Sequence, residues 1–169
     1  MINRALFTPD GTNPPCAVPI NDICTVPTQE MAYLLRDMVI ANRQDIDILE
    51  IGTGSGFQSA VLAESCRSVV SLDIERQPHV AERLPNNVAL VIANGYEWDS
   101  SEQFDGVLVT FATTALSMNW IKQTKSGGRL VVPLSRGNSC AISVFEKVGS
   151  GLVLVDVVAY APFTQGAEA

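Results

Sequence analysis

Leu49-Glu50-Ile51-Gly52-Thr53-Gly54-Ser55-Gly56-Phe57 is the stretch that decides the fold of this 169-residue chain. Asp47–Ile51 reads as a short buried strand, and residues 57–65 read as a helix. The glycines at 52, 54 and 56 therefore lie where a strand turns into a helix. Small residues there let the backbone turn sharply and approach a ligand closely. A dinucleotide loop would carry a further glycine at position 57, where this chain has Phe57, and the G-K-[ST] of a phosphate loop is absent.

Outward from that loop the chain alternates regularly. Ser68–Asp73 forms a second expected strand, residues 78–84 a short helix, Val88–Ile92 a third strand and residues 104–110 a fourth. A helix over 115–124 is expected to stop at Gly127-Gly128, before a fifth strand over 129–134. Strands separated by helices imply right-handed crossovers and a parallel sheet. The runs 139–146 and 152–161 leave no room for a helix between them, so they predict an antiparallel hairpin. Both are apolar at nearly every residue, which places the hairpin within the main sheet. Upstream, Met31, Leu34, Leu35, Met38 and Val39 mark one face of an amphipathic helix, with Pro27 suited to its first turn. Five of the nine prolines precede residue 28, so residues 1–27 read as an irregular segment able to act as a lid. The expectation is one α/β domain over 1–169, with a mostly parallel seven-stranded sheet and a C-terminal antiparallel hairpin.

Composition narrows the chemistry. The net charge of −7 and the scattered cations disfavour a nucleic-acid partner. No apolar run approaches the length of a membrane helix and no signal core opens the chain, so a cytoplasmic protein without a membrane partner is expected. Cys16, Cys24, Cys66 and Cys140 show no metal-binding spacing, and the single histidine, His79, builds no triad; no metal is expected. Asp73 closes the second strand about 17 residues past Gly56, where an acidic residue can accept both ribose hydroxyls of an adenosyl cofactor; Glu75 is the competing candidate. Asn94-Gly95 offers a further polar residue and glycine at the edge of the third strand.

The G-x-G-x-G spacing resembles the first motif of S-adenosylmethionine-dependent methyltransferases. Continued into Phe57-Gln58-Ser59-Ala60-Val61-Leu62-Ala63, it closely resembles the protein-L-isoaspartate O-methyltransferase family. Phe104-Asp105-Gly106-Val107-Leu108-Val109-Thr110, Gly127-Gly128-Arg129-Leu130-Val131-Val132-Pro133 and Ala159-Tyr160-Ala161-Pro162-Phe163-Thr164 are further similarities. The resemblance implies the Rossmann-like fold of those enzymes, S-adenosylmethionine as cofactor, and methylation of isoaspartyl carboxylates in damaged proteins. It assigns Glu50, Gly52, Thr53, Gly54, Gly56, Asp73, Asn94 and Gly95 to the cofactor, with Glu50 beneath its ammonium group. It assigns Thr25, Val26, Pro27 and Thr164 to the substrate, with Thr25 as the residue that orients the carboxylate.

Departures from the family pattern accompany the likeness. Thr25 stands for a serine, Asn94 for an aspartate facing the adenine, and residues 111–116 lack the family's Ala-Ala-x-x-x-Pro. The helical pieces before Arg4 and between the second and third strands are short, which implies a trimmed substrate face. Two other readings keep the fold: a methyltransferase for a different substrate, or a catalytically inert cofactor-binding protein. With an acidic chain, any attraction for a carboxylate must be local, and Arg4, Arg129 and Arg136 are the candidate cations.

Overall fold

Period-two alternation sorts the side chains of the central strands onto two faces of one sheet. The computed structural model describes residues 1–22, 24–75, 77, 79–137 and 139–166, and for Ala159 and Tyr160 the backbone alone. A 3-10 turn, Arg4–Phe7, is followed by β1 (Val18–Asn21), β2 (Cys24–Val26), α1 (Gln29–Ile40), β3 (Asp47–Ile51) and α2 (Phe57–Ala63). Then come β4 (Ser68–Asp73), α3 (Val80–Arg83), β5 (Val88–Ile92), β6 (Phe104–Val109), α4 (Met118–Gln123), β7 (Thr124–Arg136), β8 (Ser139–Val148) and β9 (Gly151–Ala161). The large sheet runs β5-β4-β3-β6-β7-β8-β9; its first five strands are parallel and β8 and β9 each pair antiparallel. This is the α/β Rossmann-like arrangement expected, hairpin included.

Ile48, Val69, Leu108 and Val131 face α1 and α2, where Leu35, Val39 and Leu62 close over them. Leu49, Leu72, Val107, Val109, Leu130 and Val132 face the other way and pack with Trp120 of α4. Nearly all are fully buried, each worth about 1.5–3 kcal/mol relative to exposure. β3 lies between β4 and β6, so the chain leaves it on one side and returns on the other. The crevice that opens where strand order reverses, at the C-terminal strand ends, is where such sheets bind ligands.

Several elements differ from expectation. The first 27 residues are not irregular throughout: β1 and β2 pair as an antiparallel hairpin, Val18 opposite Val26 and Pro19 opposite Thr25. Pro27 lies before the helix rather than in its first turn; Thr28 is the N-cap, its hydroxyl accepting from Met31 N–H at 3.2 Å. α2 ends two residues early, and the short helix begins at Val80; Pro78, where it was expected to begin, lies outside the described residues.

Gly127-Gly128 does not stop a helix. α4 ends at Gln123 and runs straight into β7, and the two glycines form a bulge inside that strand. Thr124 pairs with Phe104 and Arg129 with Gly106, so the intervening residues of β7 are extra. Gly127 has φ of 76°, which suits a bulge as well as a helix end. β9 joins the main sheet as expected, but as its edge. Val153, Leu154, Val155 and Val157 remain exposed: successive side chains point to opposite faces of the sheet, and among the described residues neither face is covered at these positions. Among the described residues no helix is long and apolar enough to cross a membrane.

Candidate active site

A cavity of about 560 Å³ opens at the C-terminal ends of β3, β4 and β6. The loop from Gly52 to Ser55 forms one side of it. Gly52, Gly54 and Gly56 all have positive φ, at 105°, 50° and 81°. Gly52 is required twice over: its φ disfavours any side chain, and a Cβ there would overlap the Thr110 hydroxyl. That hydroxyl donates to the Ile51 and Gly52 carbonyls at 3.0 and 2.7 Å, so the end of β6 fastens the start of the loop. The Gly54 N–H donates to Asp73 Oδ2 at 2.7 Å, which fixes the carboxylate at the end of β4 against the loop.

A buried polar network supports the loop from below. Glu50 is fully buried, and its Oε2 accepts from the hydroxyls of Ser59 and of Ser71, the latter at 2.6 Å. The Thr53 and Ser71 hydroxyls share a hydrogen bond of 2.6 Å, linking the network to the cavity wall. Among the described residues Glu50 Oε1 has no hydrogen-bond partner. Burial pushes the Glu50 carboxyl up to about 7, against the two serine hydroxyls that favour its charged form and with help from the negative Asp73.

Asn94, Gly95 and Tyr96 continue the wall beyond Asp73. Asn94 Oδ1 accepts from Tyr96 N–H at 3.0 Å, so one lone pair of the amide oxygen is spent on its own turn. The buried Trp120 indole donates to the Gly95 carbonyl at 2.8 Å, and its ring packs on Tyr96 and Phe111. The lining also takes in Cys24, Thr25, Pro27 and Thr28 with Met31 and Leu35 of α1, and Cys24 lies against the glycine loop, its Sγ 3.0 Å from where a Cβ on Gly54 would stand. Burial, and then the Asp73 charge, push the Cys24 thiol up to about 11, so it stays neutral at pH 7. The C-terminal segment crosses the mouth: Ala112 N–H donates to the Thr164 carbonyl at 2.8 Å, and Gly166 N–H returns to Ala112 at 3.0 Å. Thr164 lies in the wall.

Of the residues picked out from the sequence, Thr25, Pro27, Gly52, Thr53, Gly54, Asp73, Asn94, Gly95 and Thr164 share this one cavity. Val26, Glu50 and Gly56 stand behind its wall: Val26 packs with Phe7 and Phe57, Glu50 lies in the network, and Gly56 caps α2. Asp73 lines the large cavity and Glu75 only a narrow recess beside it. None of the candidate cations lines the cavity. Arg4 is buried against backbone carbonyls, Arg129 donates to the Met38 carbonyl at 3.0 Å, and Arg136 is exposed at the end of β7. Among the described residues the wall holds no lysine, arginine or histidine; His79 instead pairs with Glu82 at 3.2 Å. Sequence reasoning missed Cys24, Gln58, Tyr96 and Thr110 as wall residues. Tyr96 and Thr110 carried a usable signal, since each follows closely on the C-terminal end of a parallel strand.

Comparison with known proteins agrees with this fold. Residues 2–168 match the model of the Protein-L-isoaspartate(D-aspartate) O-methyltransferase family. A protein-L-isoaspartate O-methyltransferase of Pseudoalteromonas atlantica is 27% identical, over 96% of this chain and 83% of its own. A second, protein-L-isoaspartate O-methyltransferase 1 of Cupriavidus necator, is 33% identical over 79% of this chain, which spans about half (55%) of that relative. The fold is shared with a protein-L-isoaspartate O-methyltransferase of Plasmodium falciparum, solved with S-adenosyl-L-homocysteine. That likeness has a TM-score of 0.74 at 15% identity and covers 96% of this chain and 86% of the other.

Proposed function

The chain belongs to the protein-L-isoaspartate(D-aspartate) O-methyltransferase family, and from that premise we propose that it transfers the methyl group of S-adenosylmethionine to the carboxylate of isoaspartyl residues. The observation that carries this reading is a single cavity lined both by the glycine loop with Asp73 and by Thr25, Thr28 and Thr164. The residues suit such a donor. Acidic groups at and beneath the loop, Asp73 and Glu50, whose Oε1 has no hydrogen-bond partner among the described residues, match a ligand that bears a sulfonium and an ammonium group. When bound, S-adenosylmethionine supplies an electrophilic methyl group.

The chain's own residues then have three tasks. Asp73 accepts from the ribose hydroxyls while Gly54 N–H holds it in place, and Asn94-Gly95 closes the adenine end. Thr53 and Gly52 set the loop against which the methionine portion lies, with Glu50 and Ser71 supporting it from below. Thr25 donates to the acceptor carboxylate, with Val26 and Pro27 shaping the segment that carries it and Thr164 lining the same cavity. No general base is needed, because an isoaspartyl carboxyl with pKa near ~4 is already ionised at pH 7. Alignment and exclusion of water do the remaining work. The wall without histidine or lysine fits that chemistry.

Thr25→Ala tests the assignment of the acceptor wall. A hydrogen bond to a charged group contributes about 1.5–3 kcal/mol, so kcat/KM for an isoaspartyl peptide falls by about tenfold or more. S-adenosylhomocysteine affinity, measured by calorimetry, stays within about twofold. Unchanged kcat/KM would remove Thr25 from the reaction.

A further inference from the structure

Arg4 is 1% exposed, and among the described residues no carboxylate pairs with it. Each of its five N–H groups is used once instead. Nε donates to the Pro27 carbonyl at 2.6 Å. Nη1 donates to Asn13 Oδ1 at 3.0 Å and to the Pro14 carbonyl at 2.9 Å. Nη2 donates to the Cys16 carbonyl at 2.7 Å and to the Val26 carbonyl at 3.3 Å. No donor remains for a ligand, so the guanidinium holds protein to protein.

The acceptors fall on two segments. One, residues 13–16, leads into Ala17 of the cavity wall; the other, residues 26–27, joins Thr25 to Thr28. Strand pairing of Pro19 with Thr25 and Val18 with Val26 ties the segments along the hairpin, and Arg4 closes its open end. We propose that Arg4 is the positioning residue of the acceptor wall, its guanidinium fork setting the spacing between residues 13–17 and 25–28 and so the presentation of the Thr25 hydroxyl. This rests on the functional reading above for the role of Thr25. The fork is the point: a guanidinium offers five donors in one plane, whereas an ammonium offers three from a single atom and cannot span both segments.

The test compares Arg4→Lys and Arg4→Met with the wild-type chain. Both raise KM for an isoaspartyl peptide by about tenfold or more, leave kcat at saturating peptide within about threefold, and leave the Kd of S-adenosylhomocysteine within about twofold. In the S-adenosylhomocysteine complex of each variant, amide hydrogen exchange over residues 13–28 quickens about tenfold while residues 47–57 keep their wild-type rates. Asn13→Ala, which removes one acceptor and leaves the carbonyls, gives a smaller rise in KM in the same direction and serves if the Arg4 variants do not fold. An unchanged peptide KM, a full rescue by lysine, unaltered exchange over 13–28, or a loss of S-adenosylhomocysteine affinity in step with KM would each overturn the proposal. If wild-type protein methylates no isoaspartyl peptide, the functional reading fails and the exchange comparison alone decides on Arg4.

Discussion

Asp73→Ala lowers the affinity for S-adenosylhomocysteine about 100-fold. The carboxylate ends β4 at the cavity wall, and Gly54 N–H holds one of its oxygens at 2.7 Å. Hydrogen bonds from ribose hydroxyls to a charged acceptor contribute about 1.5–3 kcal/mol each, and about 3 kcal/mol in all corresponds to a factor of 100. Loss of the Gly54 contact also frees the loop, so about 100-fold is the lower end of the expected loss. Glu75→Ala is the internal control: it lines only the neighbouring recess and keeps affinity within about twofold. Calorimetric titration of both variants reads the difference. Near wild-type affinity in Asp73→Ala, or a large loss in Glu75→Ala, would move the ribose site off Asp73.

Glu50→Gln gains about 3 kcal/mol of stability relative to wild type between acid and alkaline pH. Burial raises the folded-state carboxyl from its ordinary 4.5 to about 7. The folded chain therefore binds this proton more tightly than the unfolded chain does. Wild-type stability from this group is full below pH 4.5, falls as pH climbs through the window from 4.5 to about 7, and stays low above it. A shift of that size is worth about 3 kcal/mol. Glutamine keeps an oxygen for the Ser59 and Ser71 hydroxyls and has nothing to titrate. Any fixed cost of the buried amide shifts both pH values alike, so the observable is the difference. Urea unfolding at pH 4 and pH 8 measures it; an equal Glu50→Gln effect at both would contradict the buried, proton-binding Glu50.

Local signals made part of this molecule legible in advance. β3, β4 and β5 were bounded to the residue because apolar runs there end at glycine, at acidic residues or at Asn94. The loop between β3 and α2 was readable for the same reason. Gly127-Gly128 misled because a left-handed glycine looks the same at a helix end and in a bulge; only the pairing with β6 distinguishes them. β9 is as apolar as a central strand, and nothing within residues 151–161 says that it has one neighbour rather than two. Arg4 read as a candidate cation for the substrate carboxylate because four of its five acceptors are backbone carbonyls, which no side-chain pattern announces. Glu50 was placed under the ligand from the resemblance. Its depth behind the wall, and its reliance on Ser59 and Ser71, emerge only when α2 and β4 pack against β3.

The central claim, transfer of a methyl group to an isoaspartyl carboxylate, is tested most directly by one comparison. Purified protein is incubated with methyl-labelled S-adenosylmethionine and either an isoaspartyl peptide or its normal aspartyl twin, and base-labile methyl ester is counted. Ester on the isoaspartyl peptide with background on its twin is the predicted result. Equal labelling of both peptides, or tight S-adenosylhomocysteine binding with no ester on either, would contradict it.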